Sequence, residues 1–278
     1  MPTASGFQIA FLILAFEFFS MLGSTALAPV IGWPADRMEL LGQLTTFSVA
    51  TLILFGHSGL RRCCLEALRE PLPKGSSTEL MAATAIKLAI PFAFVGAVVA
   101  GAFAAGAPES IVARIPTIDP LVAWEYTLSP LGAVRLLLLS WFVGPVIEEL
   151  VFRAFLYRAF ERRFGWVAST ALTSLLFGLA HPSRILQAAL GSVVLVCLLR
   201  RTGTLRACIL VHVIYNVLIS WPLFGHFLFT APEGAASRLS TWGVFLASLV
   251  FACAALPAYL WMSRGSAGRE AKNCVSRR

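Results

Sequence analysis

Eight apolar runs of membrane-helix character constrain this chain more than any other feature. They cover roughly Phe7–Ile31, Leu40–Leu60, Leu80–Ala105, Leu131–Tyr157, Trp166–Ala180, Ile185–Leu199, Leu205–Phe224 and Thr241–Met262. About 20 apolar residues cross a bilayer core as a helix. Within lipid, every backbone group must be satisfied inside the protein. Composition points the same way, with 58% hydrophobic and only 13% charged residues in a chain of 278. That is about half the charged share of an average soluble domain. A soluble cytoplasmic enzyme, a disordered chain and a disulfide-stapled secreted fold are all disfavoured. The reading is an all-α polytopic membrane protein of about eight transmembrane helices. Residues 1–263 form one helical domain, and 264–278 form a basic cytoplasmic tail.

The net charge of +8 does not call for nucleic acid, because the basic residues sit between apolar runs. Sixteen of the 22 Lys and Arg fall after spans two, four and six and in the C-terminal tail. These include Arg61, Arg62, Arg69, Lys74, Arg153, Arg158, Arg162, Arg163, Arg200, Arg201 and Arg206. Four others, Arg37, Arg114, Arg184 and Arg238, lie in the alternate loops. The positive-inside rule then places both termini in the cytoplasm. No basic residue precedes the first run, so it reads as a true span rather than a signal peptide. The compact chain without targeting signals suggests a bacterial inner or cell membrane. The six Cys form no C-x-x-C pair and read as small packing residues.

Two runs are short. Trp166–Ala180 and Ile185–Leu199 are about 15 residues each, or roughly 22 Å of helix. Their turn, His181-Pro182-Ser183-Arg184, is polar. Such a turn is tolerated at membrane depth only when buried in protein or wetted.

Ionisable residues inside spans are costly and are functional hypotheses by default. The densest group is in the fourth span, Gly144-Pro145-Val146-Ile147-Glu148-Glu149-Leu150-Val151-Phe152-Arg153. Glu149 and Arg153 are four apart, share a helix face and can pair. Glu148 lies about 100° round the helix and is left free to act as a general base. The fifth span ends in Phe177-Gly178-Leu179-Ala180-His181, and the seventh contains His212-Val213-Ile214-Tyr215-Asn216. Each is an i, i+4 pair with both members on one face. From the cytoplasmic edges, Glu148, His181 and His212 fall at depths of about 15, 22 and 9 Å. Tilt must draw these levels together if the residues share a site.

This order of motifs, Glu-Glu-x-x-x-Arg, then Phe-x-x-x-His, then His-x-x-x-Asn, each on its own helix, resembles the CAAX protease and bacteriocin-processing family of intramembrane peptidases. That family is also called CPBP or Abi. The resemblance covers about residues 130–225, and departs from the family in Ala154, where Gly is frequent. It implies an intramembrane endopeptidase acting on a membrane-anchored protein or peptide. It assigns Glu148 to water activation, His181 to holding the water, and His212 and Asn216 to the oxyanion. Arg153 would orient Glu149, and Phe177 would contact substrate. Glu148, His181 and His212 are the candidates for a divalent metal such as zinc. Catalysis without a metal is favoured, because Asn216 is a poor zinc ligand and a good oxyanion donor.

Other protease classes fit less well. No His among His57, His181, His212 and His226 is followed by Glu, so the His-Glu-x-x-His zinc motif is absent. A two-aspartate intramembrane protease fits less well, since Asp36 and Asp119 both read as loop residues. Gly56-His57-Ser58-Gly59 matches a serine-protease pattern, but small-residue tetrapeptides are common in membrane helices. The alternatives are a non-catalytic scaffold or immunity protein of the same fold, and a proton-coupled transporter. No internal repeat favours the latter. Lys87 and Arg135, the basic residues within spans, read as snorkelling or as partners of Glu17. Trp33, Trp124 and Trp166 read as interfacial anchors.

Overall fold

A computed structural model of the chain describes residues 35–56, 58–106, 135–181, 184–220 and 235–264, with isolated positions 15, 30 and 32. The described residues are helical, without strands. The first expected span, Glu17, His57, Trp33, Trp124, His226 and the expected tail from 265 onward lie outside them, as does the side chain of Arg135.

The helices follow the apolar runs closely except at the second. There, α1 (Ala35–Gly56) and α2 (Ser58–Arg69) are separate helices bent by 100°. The single expected span Leu40–Leu60 is therefore corrected to a broken pair. The sequence of α2 explains this, because it is amphipathic rather than apolar throughout. Leu60, Cys64 and Ala67 are buried, while Arg61, Arg62 and Glu66 are exposed. Cys63 in this helix is disulfide-bonded, which departs from its reading as a packing residue.

Next comes α3 (Ser77–Ala104), with Glu79 in its first turn favouring the positive end of the helix dipole. A segment from Arg135 to Tyr157 follows. It comprises a π-helical stretch Arg135–Val143, a short α4 (Gly144–Glu149) and a second π-helical stretch Leu150–Tyr157. Pro145 lacks an N–H and crowds the carbonyl four residues back. The wider upstream turns relieve that conflict. α5 (Arg158–Leu179) continues from there but turns at Gly165, whose φ is 75°. Only glycine takes that conformation readily. The Trp166 half of the helix is thus short, as its sequence predicts. α6 (Ile185–Thr202) ends at Gly203, with φ 72° and its N–H bonded to Leu199 O at 2.7 Å. α7 (Leu205–Ser220) and α8 (Ala235–Arg264) complete the described elements.

Among the described residues, three helical segments are long and apolar enough to cross a membrane: Ser77–Ala102, Ile185–Thr202 and Gly243–Arg264. The bent pair α1–α2 makes a fourth if it counts as one span, and Leu205–Ile219 is a shorter apolar helix. This is a helical membrane protein, and the expected total of eight spans is not reached among the described residues.

Two hydrophobic clusters flank the centre. One joins α1 and α2 to Ile147, Leu150, Val151, Phe152, Phe155, Leu156 and Phe177. The other joins α3, α6 and α7 to Tyr157 and Tyr259. The helix carrying the two glutamates lies between them and contributes to both. One end of the bundle is tied by polar contacts. Arg201 pairs with Glu79, and its Nε donates to Glu79 Oε2 at 2.6 Å. Arg200 Nη1 donates to Glu161 Oε1 at 2.7 Å, and the guanidinium stacks over Trp166 at 4.7 Å. Arg206 donates to Leu68 O, and Thr204 Oγ1 to Glu70 O at 3.3 Å. Burial pushes the Glu70 carboxyl above its ordinary range, opposed by the Arg158 charge.

Candidate active site

The site begins with a fully buried pair on the glutamate helix. Glu149 and Arg153 are both 0% exposed, with Arg153 Nη1 3.1 Å from Glu149 Oε1. This is the i, i+4 pair that the sequence predicts. Two buried charges are tolerable only when each is further satisfied. Here α7 supplies His212, whose Nδ1 lies 2.8 Å from the same Oε1. α6 supplies Ser192, whose Oγ accepts from Arg153 Nη2 at 3.0 Å. The face of the Arg153 guanidinium lies 4.6 Å from the centre of the Phe177 ring. Sequence reasoning missed Ser192. Nothing in a small residue on an apolar helix marks it as a guanidinium partner.

Glu148 points elsewhere. It lines a cavity of about 180 Å³ together with Phe177, His181, His212 and Asn216. Its Oε2 is buried, accepts no hydrogen bond and lies 3.7 Å from His212 Nε2. The four residues assigned to chemistry therefore converge on one space, despite the different depths estimated from the sequence. Glu149 and Arg153 stand behind them, outside the cavity lining.

Hydrogen bonds fix the two imidazoles. His181 Nδ1 lies 2.8 Å from Phe177 O. A carbonyl only accepts, so Nδ1 carries the proton, and the neutral ring offers a lone pair at Nε2. His212 Nδ1 is committed to the Glu149 carboxylate, which leaves its Nε2 facing Glu148. Phe177 braces both rings, with centroids 4.6 Å from His181 and 6.0 Å from His212. It also meets Phe152 edge-on at 4.9 Å. Asn216 Nδ2 donates to Ser140 O at 2.8 Å, which holds the amide at the cavity wall.

Close helix approaches put these groups in place. A Cβ on Gly178 would lie 2.5 Å from Ile185 O and 3.0 Å from Ala189 Cβ, so only glycine lets α5 and α6 meet beside the His181 turn. A Cβ on Gly144 would lie 2.6 Å from Leu139 O and 3.2 Å from Phe47 Cζ. Among the described residues, no group of three His, Cys, Asp or Glu side chains is arranged to hold a metal ion. Glu148, His181 and His212 share the cavity without forming such a set.

Fold and site together define a membrane helix bundle with a carboxylate, two imidazoles and a carboxamide around one internal cavity. Residues 130–218 match the family described as Rce1-like, type II CAAX prenyl endopeptidase Rce1-like. The match spans about a third of the chain, and the family it resembles there is one of proteases. The segment contains every residue of the three motifs. No curated protein and no solved structure matches the chain.

Proposed function

We propose that the protein is an intramembrane endopeptidase that hydrolyses a peptide bond of a membrane-anchored protein or peptide. The observation that carries this reading is the convergence of Glu148, His181, His212 and Asn216 on one cavity, within the segment that matches a peptidase family. Water bound between Glu148 Oε2 and His181 Nε2 would lose its proton to Glu148 and attack the scissile carbonyl. His181, neutral and held by Phe177 O, aligns the water through its Nε2 lone pair.

His212 needs a proton on Nε2 to act as an oxyanion donor, because its Nδ1 is committed to Glu149. That proton is shared with Glu148 across 3.7 Å, and on Nε2 it makes a cation that burial and the Lys87 charge oppose and the two glutamates favour. His212 Nε2 and the Asn216 amide then face the oxygen on which charge develops. The proton taken by Glu148 passes to the departing amine. Phe177 and Arg153 are positioning residues in this scheme. Membrane insertion with both termini in the cytoplasm belongs to the same proposal.

The test compares cells carrying wild-type protein or Glu148→Ala at equal expression, with membrane and secreted proteins profiled for new C-termini. Fragments that appear only with wild type establish peptidase activity and reveal the substrate class. Identical profiles, with the variant equally abundant, would remove the peptidase reading in favour of a scaffold or transporter.

A further inference from the structure

Lys87 lies on α3, outside the segment that matches the family, yet it lines the same cavity as Glu148, His181, His212 and Asn216. The residue is only 5% exposed. Its ammonium sits 4.4 Å from the centre of the Tyr215 ring. Its stem lies across Gly191, where an added Cβ would come within 3.3 Å of Lys87 Cε. The chain is thus laid along a groove that glycine keeps open, with its charged end directed into the cavity.

Among the described residues, no carboxylate lies within ion-pair distance of this ammonium. The two nearby glutamates are otherwise placed, Glu149 on Arg153 and His212 and Glu148 facing His212 Nε2. A cation–π contact compensates a buried ammonium only in part, at about 0.5–2 kcal/mol. Desolvating an unpaired ammonium costs several kcal/mol. A cation held this way in a substrate cavity is a site for an anion that arrives with the substrate. Arg184 at the cavity rim adds positive charge on the approach.

We infer that Lys87 binds a carboxylate of the substrate, either the free chain terminus or an acidic side chain, within a few residues of the scissile bond. The cavity sets that spacing. A sphere of its 180 Å³ is about 7 Å across, the length of about two extended residues. Lys87 would thereby decide where along a membrane-anchored chain the cut falls. The inference rests on the peptidase reading for the identity of its ligand, and the test keeps the two apart.

Binding is measured to the full-length Glu148→Gln protein in detergent micelles, where no turnover interferes. The probes are N-dodecanoyl-Ala-Leu-Ala as the free acid, its C-terminal amide, and N-dodecanoyl-Ala-Leu-Asp amide. The free acid or the Asp amide is expected to bind at least about tenfold more tightly than the plain amide, as a charge-assisted contact requires. Whichever is preferred identifies the source of the carboxylate. Adding Lys87→Met should erase the preference, and Lys87→Arg should retain most of it.

Equal binding of all three probes overturns the inference, as does no binding of any. A preference that survives Lys87→Met also overturns it and points to Arg184. Cleavage by the wild-type protein is assayed separately on the same probes and on any substrate that proteome profiling reveals. Carboxylate preference without cleavage of any of these would sink the peptidase reading and leave the subsite standing.

Discussion

A single oxygen, Glu149 Oε1, receives both the Arg153 guanidinium and the His212 ring. Removing that oxygen strands two polar side chains in the core. Glu149→Ala is expected to destabilise the protein by about 3–5 kcal/mol, read as a lower thermal unfolding midpoint in detergent. Glu148→Gln touches none of that support and should melt like wild type while abolishing turnover. Equal melting of the two variants would contradict this division between support and chemistry. The side-chain mechanism also predicts that 1,10-phenanthroline leaves turnover unchanged. A loss restored by added zinc would make Glu148, His181 and His212 a metal set instead. The motif residues were legible in the sequence because charges and imidazoles are rare in apolar spans. Lys87 is equally visible, but the sequence alone reads it as snorkelling or as a partner of Glu17. One sequence does not say which helix faces meet, and the cavity and the Tyr215 ring supply that information.

The two helices of the His181 hairpin depend on Gly178. A β-branched side chain there would collide with the Ile185 carbonyl and the Ala189 methyl group. Gly178→Val should push α5 and α6 apart, shift the His181 ring and lower turnover by at least about tenfold, from the cost of misplaced catalytic groups. Membrane insertion should persist, as checked by carbonate extraction. Normal turnover in this variant would show that the close approach does not set the site's geometry. The helices themselves were readable from their apolar runs, and the shortness of the Trp166 segment was too. The 100° bend after Gly56 was not, because the apolar stretch runs through it without a proline. Only the switch from uniform hydrophobicity to the amphipathic pattern of Ser58–Arg69 marks the change.

Across the whole molecule, the segments near residues 68–70, 79, 157–161, 200–206 and 259–263 meet at one end. Three of the loops that the charge count assigns to the cytoplasm come together there. Single cysteines introduced at Lys74 and Arg264, in a protein lacking its native cysteines, should therefore react with an impermeant maleimide only after the cell membrane is opened. Labelling of intact cells at either position would reverse the orientation. The charge count assigns these loops to one side without any knowledge of contacts, since it depends only on where residues fall along the chain. Convergence of the motifs was less accessible, because it depends on tilt and on small residues at crossings. The shared use of Glu149 also bears on how this sequence can change over generations. Arg153, His212 and Ser192 each lean on a partner that serves another, so one altered position strands the rest. Mutational libraries that vary these four sites singly should return the parental residue at each. Any viable departure would have to arrive as a coordinated set.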